Sequence, residues 1–169
     1  MVGGHLYVGR VWRFPVFEEP PRPGAPSAWA RALVAVAQDL RCFYRRGTVH
    51  WDGVCWEPAL HGDGVLLAWD PAPPGIARPA GERGEIGGGR QVLGRRLAPQ
   101  LPVGEVTVWV ANTVQAALLR QLRMPWPCRD EAEVWVPRVR DAHPCWVDSR
   151  TGRTVAAIGD LTPAGADTR

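Results

Sequence analysis

The stretch from Val49 to Trp69, Val-His-Trp-Asp-Gly-Val-Cys-Trp-Glu-Pro-Ala-Leu-His-Gly-Asp-Gly-Val-Leu-Leu-Ala-Trp, constrains this chain more than any other. Its first part alternates as a half-buried strand does, Pro58 to Gly64 supplies turn formers, and Val65 to Trp69 is a short apolar run that must be mostly buried. Two antiparallel strands are therefore expected, with one carboxylate, Asp52, on the first. Further on, Glu105-Val-Thr-Val-Trp-Val-Ala-Asn112 reads as another strand and runs straight into a helical pattern, Thr113 to Arg123. Between the two lies one well-placed acid, Glu85.

The chain has 169 residues and is 46% hydrophobic, which suits one globular domain with an appendage and a real core. No run of 18 apolar residues occurs, and Met-Val-Gly-Gly-His-Leu-Tyr lacks the basic-then-apolar shape of a signal, so an intracellular protein that crosses no membrane is expected. The cysteines at 42, 55, 128 and 145 form no Cys-x-x-Cys pair, and packed, reduced thiols are the reading they favour over a zinc site. All 20 basic residues are arginine, consistent with a genome rich in G and C. The net charge of +3, carried as arginine clusters, is compatible with a nucleic-acid partner, since guanidinium forks suit phosphate oxygens and stack on bases. Of the nine tryptophans, Trp51, Trp69, Trp109 and Trp135 fall at alternating strand positions and read as core or half-core.

The chain divides near Gly47. In residues 1–47, Leu6 to Phe17 reads as a strand and Glu18 to Pro26 as an extended linker that proline keeps from being helical. Ser27 is then the N-cap of a helix with Leu33, Val36, Leu40 and Phe43 at helical spacing, Arg41, Arg45 and Arg46 near its end and Gly47 as its stop. In residues 48–160 the expected order is strand, strand, a third strand at Gly75 to Ala80, helix Glu85 to Ala98, strand 105–110, helix 113–123 and strand 133–137, a mixed α/β sheet with flanking helices. Residues 161–169 read as a mobile tail.

This order, and the motifs in it, resemble the ribonuclease H domains of reverse transcriptases. Asp52-Gly53 followed by Gly62-Asp-Gly64-Val-Leu-Leu is similar to the first two strands of that family, and Glu85-Ile86 with Val92 and Leu93 to its first helix. Trp109-Val-Ala-Asn-Thr-Val-Gln is close to the Asp-Asn-Thr/Ser form of DIRS-like retrotransposons and hepadnaviruses, with Ala111 where the acid stands. Val134-Trp-Val-Pro137 and Asp148-Ser-Arg150 resemble the last motif, with Asp141 as a rival for Asp148. The likeness spans Thr48 to Arg153.

The resemblance implies metal-dependent hydrolysis of the RNA strand of an RNA/DNA hybrid by two Mg2+ (or Mn2+) ions about 4 Å apart, held by carboxylates. Asp52 would bridge the metals, Glu85 and position 111 would serve the second, and Asp148 the first. Ala111 removes a ligand, so the activity is expected to be impaired. Arg90, Arg95, Arg120 and Arg123 would contact phosphates. As plain structure, Asp52 would cap a turn before Gly53, Glu85 would be a first-turn helix acid and Asp148 an Asx-turn residue with Ser149. Two other classes compete. Glu131-Ala-Glu133-Val-Trp-Val-Pro resembles the acidic strand entry of ADP-ribosyltransferases, without their amino-terminal motif. A non-catalytic nucleic-acid-binding or scaffold domain of a larger ribonucleoprotein or viral assembly also fits the Pro-rich arm and the tryptophans.

Overall fold

A computed structural model of the chain describes residues 8–18, 26–44, 51–61, 64–70, 91–128 and 134–162. Among them are two helices, α1 (Ser27–Tyr44) and α2 (Val103–Leu122), and eight strands: β1 (Val8–Val11), β2 (Phe14–Pro15), β3 (Cys55–His61), β4 (Gly64–Asp70), β5 (Gln91–Leu97), β6 (Trp135–Arg140), β7 (His143–Asp148) and β8 (Thr154–Ala157). The protein is mixed α/β, and every pairing among the described strands is antiparallel.

The first sheet runs β1-β3-β4-β5, with β2 continuing the edge along β3. Its centre is the hairpin expected from Val49 to Trp69, but the strands are displaced. Pairing of β3 with β4 persists from Cys55↔Asp70 to His61↔Gly64, so the turn is far shorter than the expected Pro58 to Gly64. Pro58 is accommodated inside β3 because it lies opposite the break between β1 and β2, where its carbonyl accepts the Trp12 amide at 3.0 Å. Asp52 falls outside the strand altogether.

Helix α1 forms where the spacing places it. Trp29, Ala32, Leu33, Val36, Ala37 and Leu40 recur at helical intervals and are all buried. Ser27 is its first residue rather than its cap, since the Ala30 amide bonds to the Pro26 carbonyl. The expected stop at Gly47, with Arg45 and Arg46, lies outside the described residues.

Helix α2 corrects the reading of its first half. Residues 105–110 were expected as a strand, and they are helical. Val106, Val110, Ala111, Val114, Ala117 and Leu118 form one fully buried stripe at helical spacing, and that packing outweighs the β preference of the valines. The helix ends at Arg123, whose left-handed φ of 54° lets its amide reach the Leu118 carbonyl, and Pro125 follows.

The stretch Glu85 to Ala98 was expected as a helix, but its described part is strand β5, paired with β4. Gly94 explains the preference. A Cβ there would lie 2.8 Å from both Trp109 and Thr113 of α2, so only glycine lets β5 pass this close beneath the helix. The third strand expected at Gly75 to Ala80 lies outside the described residues.

The second sheet is the meander β6-β7-β8. It begins near the strand expected at 133–137 but extends two strands further. Helix α2 touches β5, β6, β7 and α1, so it is the shared wall between the two sheets. The core holds Trp29, Trp56, Trp69, Trp126 and Trp146, all fully buried. Trp51, expected as core, is buried at the edge of a T-shaped pair with Trp69, whereas Trp109 is a half-buried helix residue paired with Trp29.

Candidate nucleic-acid interface

The positions singled out for catalysis do not form one polar cluster among the described residues. Asp52 is exposed in a tight turn closed by the Val54 amide on the Trp51 carbonyl at 3.0 Å, with Gly53 at φ 76°. That is the turn role open to any Asp before glycine. Ala111 is fully buried on the apolar stripe of α2, on a helix rather than at the end of a strand. The reason is periodicity: 111 lies one residue after Val110 and three before Val114, all on the face that packs inward.

Asp148 ends β7, where its carboxylate accepts the Arg150 amide at 2.8 Å and the Thr151 hydroxyl at 2.6 Å. The Thr151 hydroxyl, followed by the Arg150 amide, holds this acid below the usual carboxylate range. Asp148 therefore organises the β7–β8 turn. Asp141 is exposed in the β6–β7 turn at φ 50°. Glu85 and Arg90, like Glu131 and Glu133, lie outside the described residues, and Arg95 is placed on β5. No group of three or more His, Cys, Asp or Glu among the described residues is arranged to hold a metal. None of the four cysteines is in a disulfide; Cys128 and Cys145 are buried and the other two half-buried.

Arginines are a different matter. Arg120 and Arg123 are exposed at the carboxyl end of α2, where cations also complement the helix dipole. A larger group stands on the meander, and the sequence reading passed over it. Strand β6 ends Pro-Arg-Val-Arg, so Arg138 and Arg140 project from one face. The pairings Arg138↔Cys145 and Val147↔Thr154 place Cys145, Val147 and Thr154 on that same face. Arg140 crosses β7 over this face, donating to the Gly152 carbonyl at 2.7 Å and the Thr154 hydroxyl at 3.4 Å.

Its guanidinium thus lies at the 149–153 turn, the turn whose sequence carries Arg150 and Arg153. All four arginines are exposed, while Cys145 and Val147 beneath are buried. The stems of the long side chains cover apolar surface and keep their charged heads in water. The opposite face of the same sheet carries Trp146 into the core. The alternation Arg-Val-Arg was the available signal for the charged face. It was hidden because it became meaningful only with β7 and β8 alongside.

A cleft of about 200 Å³ lies between β2 and α1, lined by Val16, Val34, Ala37, Gln38 and Glu18. Arg41 occupies its mouth, bonded to the Phe17 carbonyl and lying 5.1 Å from the Phe17 ring centre.

No family model, no curated protein and no solved structure matches this chain.

Proposed function

We propose that this chain is a non-catalytic nucleic-acid-binding domain, which engages the phosphate backbone through the outer face of the β6–β8 meander. The observation that carries this reading is that Arg138 and Arg140 project from one face of β6 and Arg140 reaches the turn that carries Arg150 and Arg153, all four arginines being exposed. Guanidinium groups held on a sheet meet phosphate oxygens with two parallel bonds and little loss of side-chain freedom. Asp148, in the same turn, is committed to Thr151 and the Arg150 amide, so its oxygens are already engaged. Arg120 and Arg123 add a second cationic edge on α2. Recognition of this kind reads the backbone rather than base edges, so little sequence preference follows.

Fluorescence anisotropy with an RNA/DNA hybrid, duplex DNA and single-stranded RNA tests this directly. Binding is expected in the micromolar range at about 50 mM salt and should weaken steeply by about 200 mM. Replacing Arg138, Arg140, Arg150 and Arg153 together with Gln should flatten the salt dependence by up to about four charges. An unchanged affinity in that variant overturns the assignment. Including Mg2+ in the hybrid assay makes cleavage of the RNA strand visible, and such cleavage would select the ribonuclease H reading instead.

A further inference from the structure

The most deeply buried acid among the described residues is one with no mark in the sequence. Asp39, on α1, is fully buried. Its Oδ2 accepts the Trp146 indole N–H at 2.6 Å and the Gly159 amide at 2.8 Å, and its Oδ1 accepts the Leu161 amide at 3.0 Å. One turn further along α1, the Cys42 thiol donates to the Leu161 carbonyl at 2.6 Å. One turn before Asp39, Ala35 packs against Gly159, where an added Cβ would lie 3.1 Å from the alanine methyl. Helix α1 therefore grips the backbone that follows β8 by two amides, one carbonyl and one close packing contact.

We propose that this contact is a proton-operated latch, in which residues 158–161 close on α1 when Asp39 takes up a proton and loosen when the proton leaves. Among the described residues the carboxylate has three N–H donors and no cation paired with it. From β7 it faces the Trp146 indole, and from the segment beyond β8 the two amides and the Asp160 carboxylate, while Cys42 is the neighbouring titratable group on its own helix. Burial disfavours the charged form, and Asp160 adds to that, while the three hydrogen bonds offset only part of it. The result is a carboxyl raised to about 6 from 3.8. When the segment lifts, water reaches Asp39 and its ordinary acidity returns. The closed form is thus the better proton binder, and acid holds it shut.

Hydrogen exchange at the Gly159 and Leu161 amides reads the latch directly, because both are bonded to Asp39. Rates corrected for intrinsic exchange should show opening that increases, on the order of a hundredfold, between the acid and neutral limits, following the shift from 3.8 to about 6. The Leu67 amide, in the centre of the first sheet, serves as the reference for global unfolding. Cys42→Ala should raise opening at every pH without altering the pH dependence, and Asp39→Asn should abolish that dependence. Should Asp39→Asn fail to fold, the carboxyl-carbon shift of Asp39 in the unaltered protein supplies the same answer. A midpoint near 6 supports the latch, and one near 4 overturns it. The latch is equally refuted if Gly159 and Leu161 exchange no faster than Leu67 at neutral pH, or if their opening is flat or falls as pH rises.

Discussion

At the scale of single residues, burial decides what a side chain is for. Ala111 stands where a metal-binding acid was expected, but it lies at 0% exposure within an apolar helix face. Ala111→Asp should cost about 3–5 kcal/mol, the penalty of an uncompensated buried charge. Urea unfolding measures it, and a variant as stable as the parent would mean the position opens to solvent or metal. The tryptophans allow a second comparison. The Trp29 indole N–H meets no acceptor among the described residues, whereas that of Trp146 satisfies Asp39. Trp146→Phe should therefore lose about 1–3 kcal/mol more than Trp29→Phe, because it leaves a buried carboxylate short of a donor. Equal losses would show that the Asp39 bond contributes nothing net. Asp52 was legible in kind, since Asp-Gly is a turn signal, whereas Asp39 was not, because one acid on a helix is ordinary until three donors from distant segments converge on it.

At the scale of elements, the chain was readable where local pattern and tertiary packing agree. Helix α1 shows its stripe in sequence and keeps it in the fold. The first half of α2 does not, because Val-Thr-Val-Trp-Val carries the β-branched composition of a strand. The face it buries appears only once β5 and the meander are in place. Gly94 is the point where this packing is tightest. Gly94→Ala should lower stability by about 1–3 kcal/mol, as overpacking does, because the Trp109 ring and the Thr113 methyl at 2.8 Å must both move. Gly104→Ala, at the start of α2, is a useful contrast. There the new methyl meets the Ala142 carbonyl at 3.2 Å, but the helix gains about 1 kcal/mol of intrinsic preference over glycine. The two terms nearly cancel, so its unfolding midpoint should stay close to that of the parent. A large loss at Gly104 with none at Gly94 would reverse the assignment of which contact limits the approach of α2.

At the scale of the whole molecule, the buried acid ties pH to stability. Asp39 is raised in the folded protein to about 6 from 3.8. Its contribution is therefore fully present below about pH 3.8 and is lost as pH rises through about 6. Roughly two units correspond to about 3 kcal/mol for a fully desolvated group. Asp148 acts in the other direction, since its lowered pKa contributes stability above the usual carboxylate range that is lost as pH falls. Its exposure makes that contribution small. Urea midpoints between pH 5 and 7.5 isolate Asp39: the parent should weaken toward neutral pH, and Asp39→Asn should not show that slope. A parent protein that strengthens over this interval would contradict the assignment.

What the sequence determined by itself was local: the α/β character, the hairpin at the heart of the first sheet, the apolar stripe of α1 and the cationic, lysine-free surface. Each depends on neighbours within a turn or two, where propensity and periodicity act. The tertiary structure alone decided that 105–110 is helix, that 91–97 is strand, that Arg140 reaches across the meander to the 149–153 turn and that Asp39 is sealed beneath residues 158–161. These depend on contacts between segments far apart in the chain, such as the 107-residue separation between Asp39 and Trp146. Free energy of burial at such contacts outweighs the local preferences of the residues that make them.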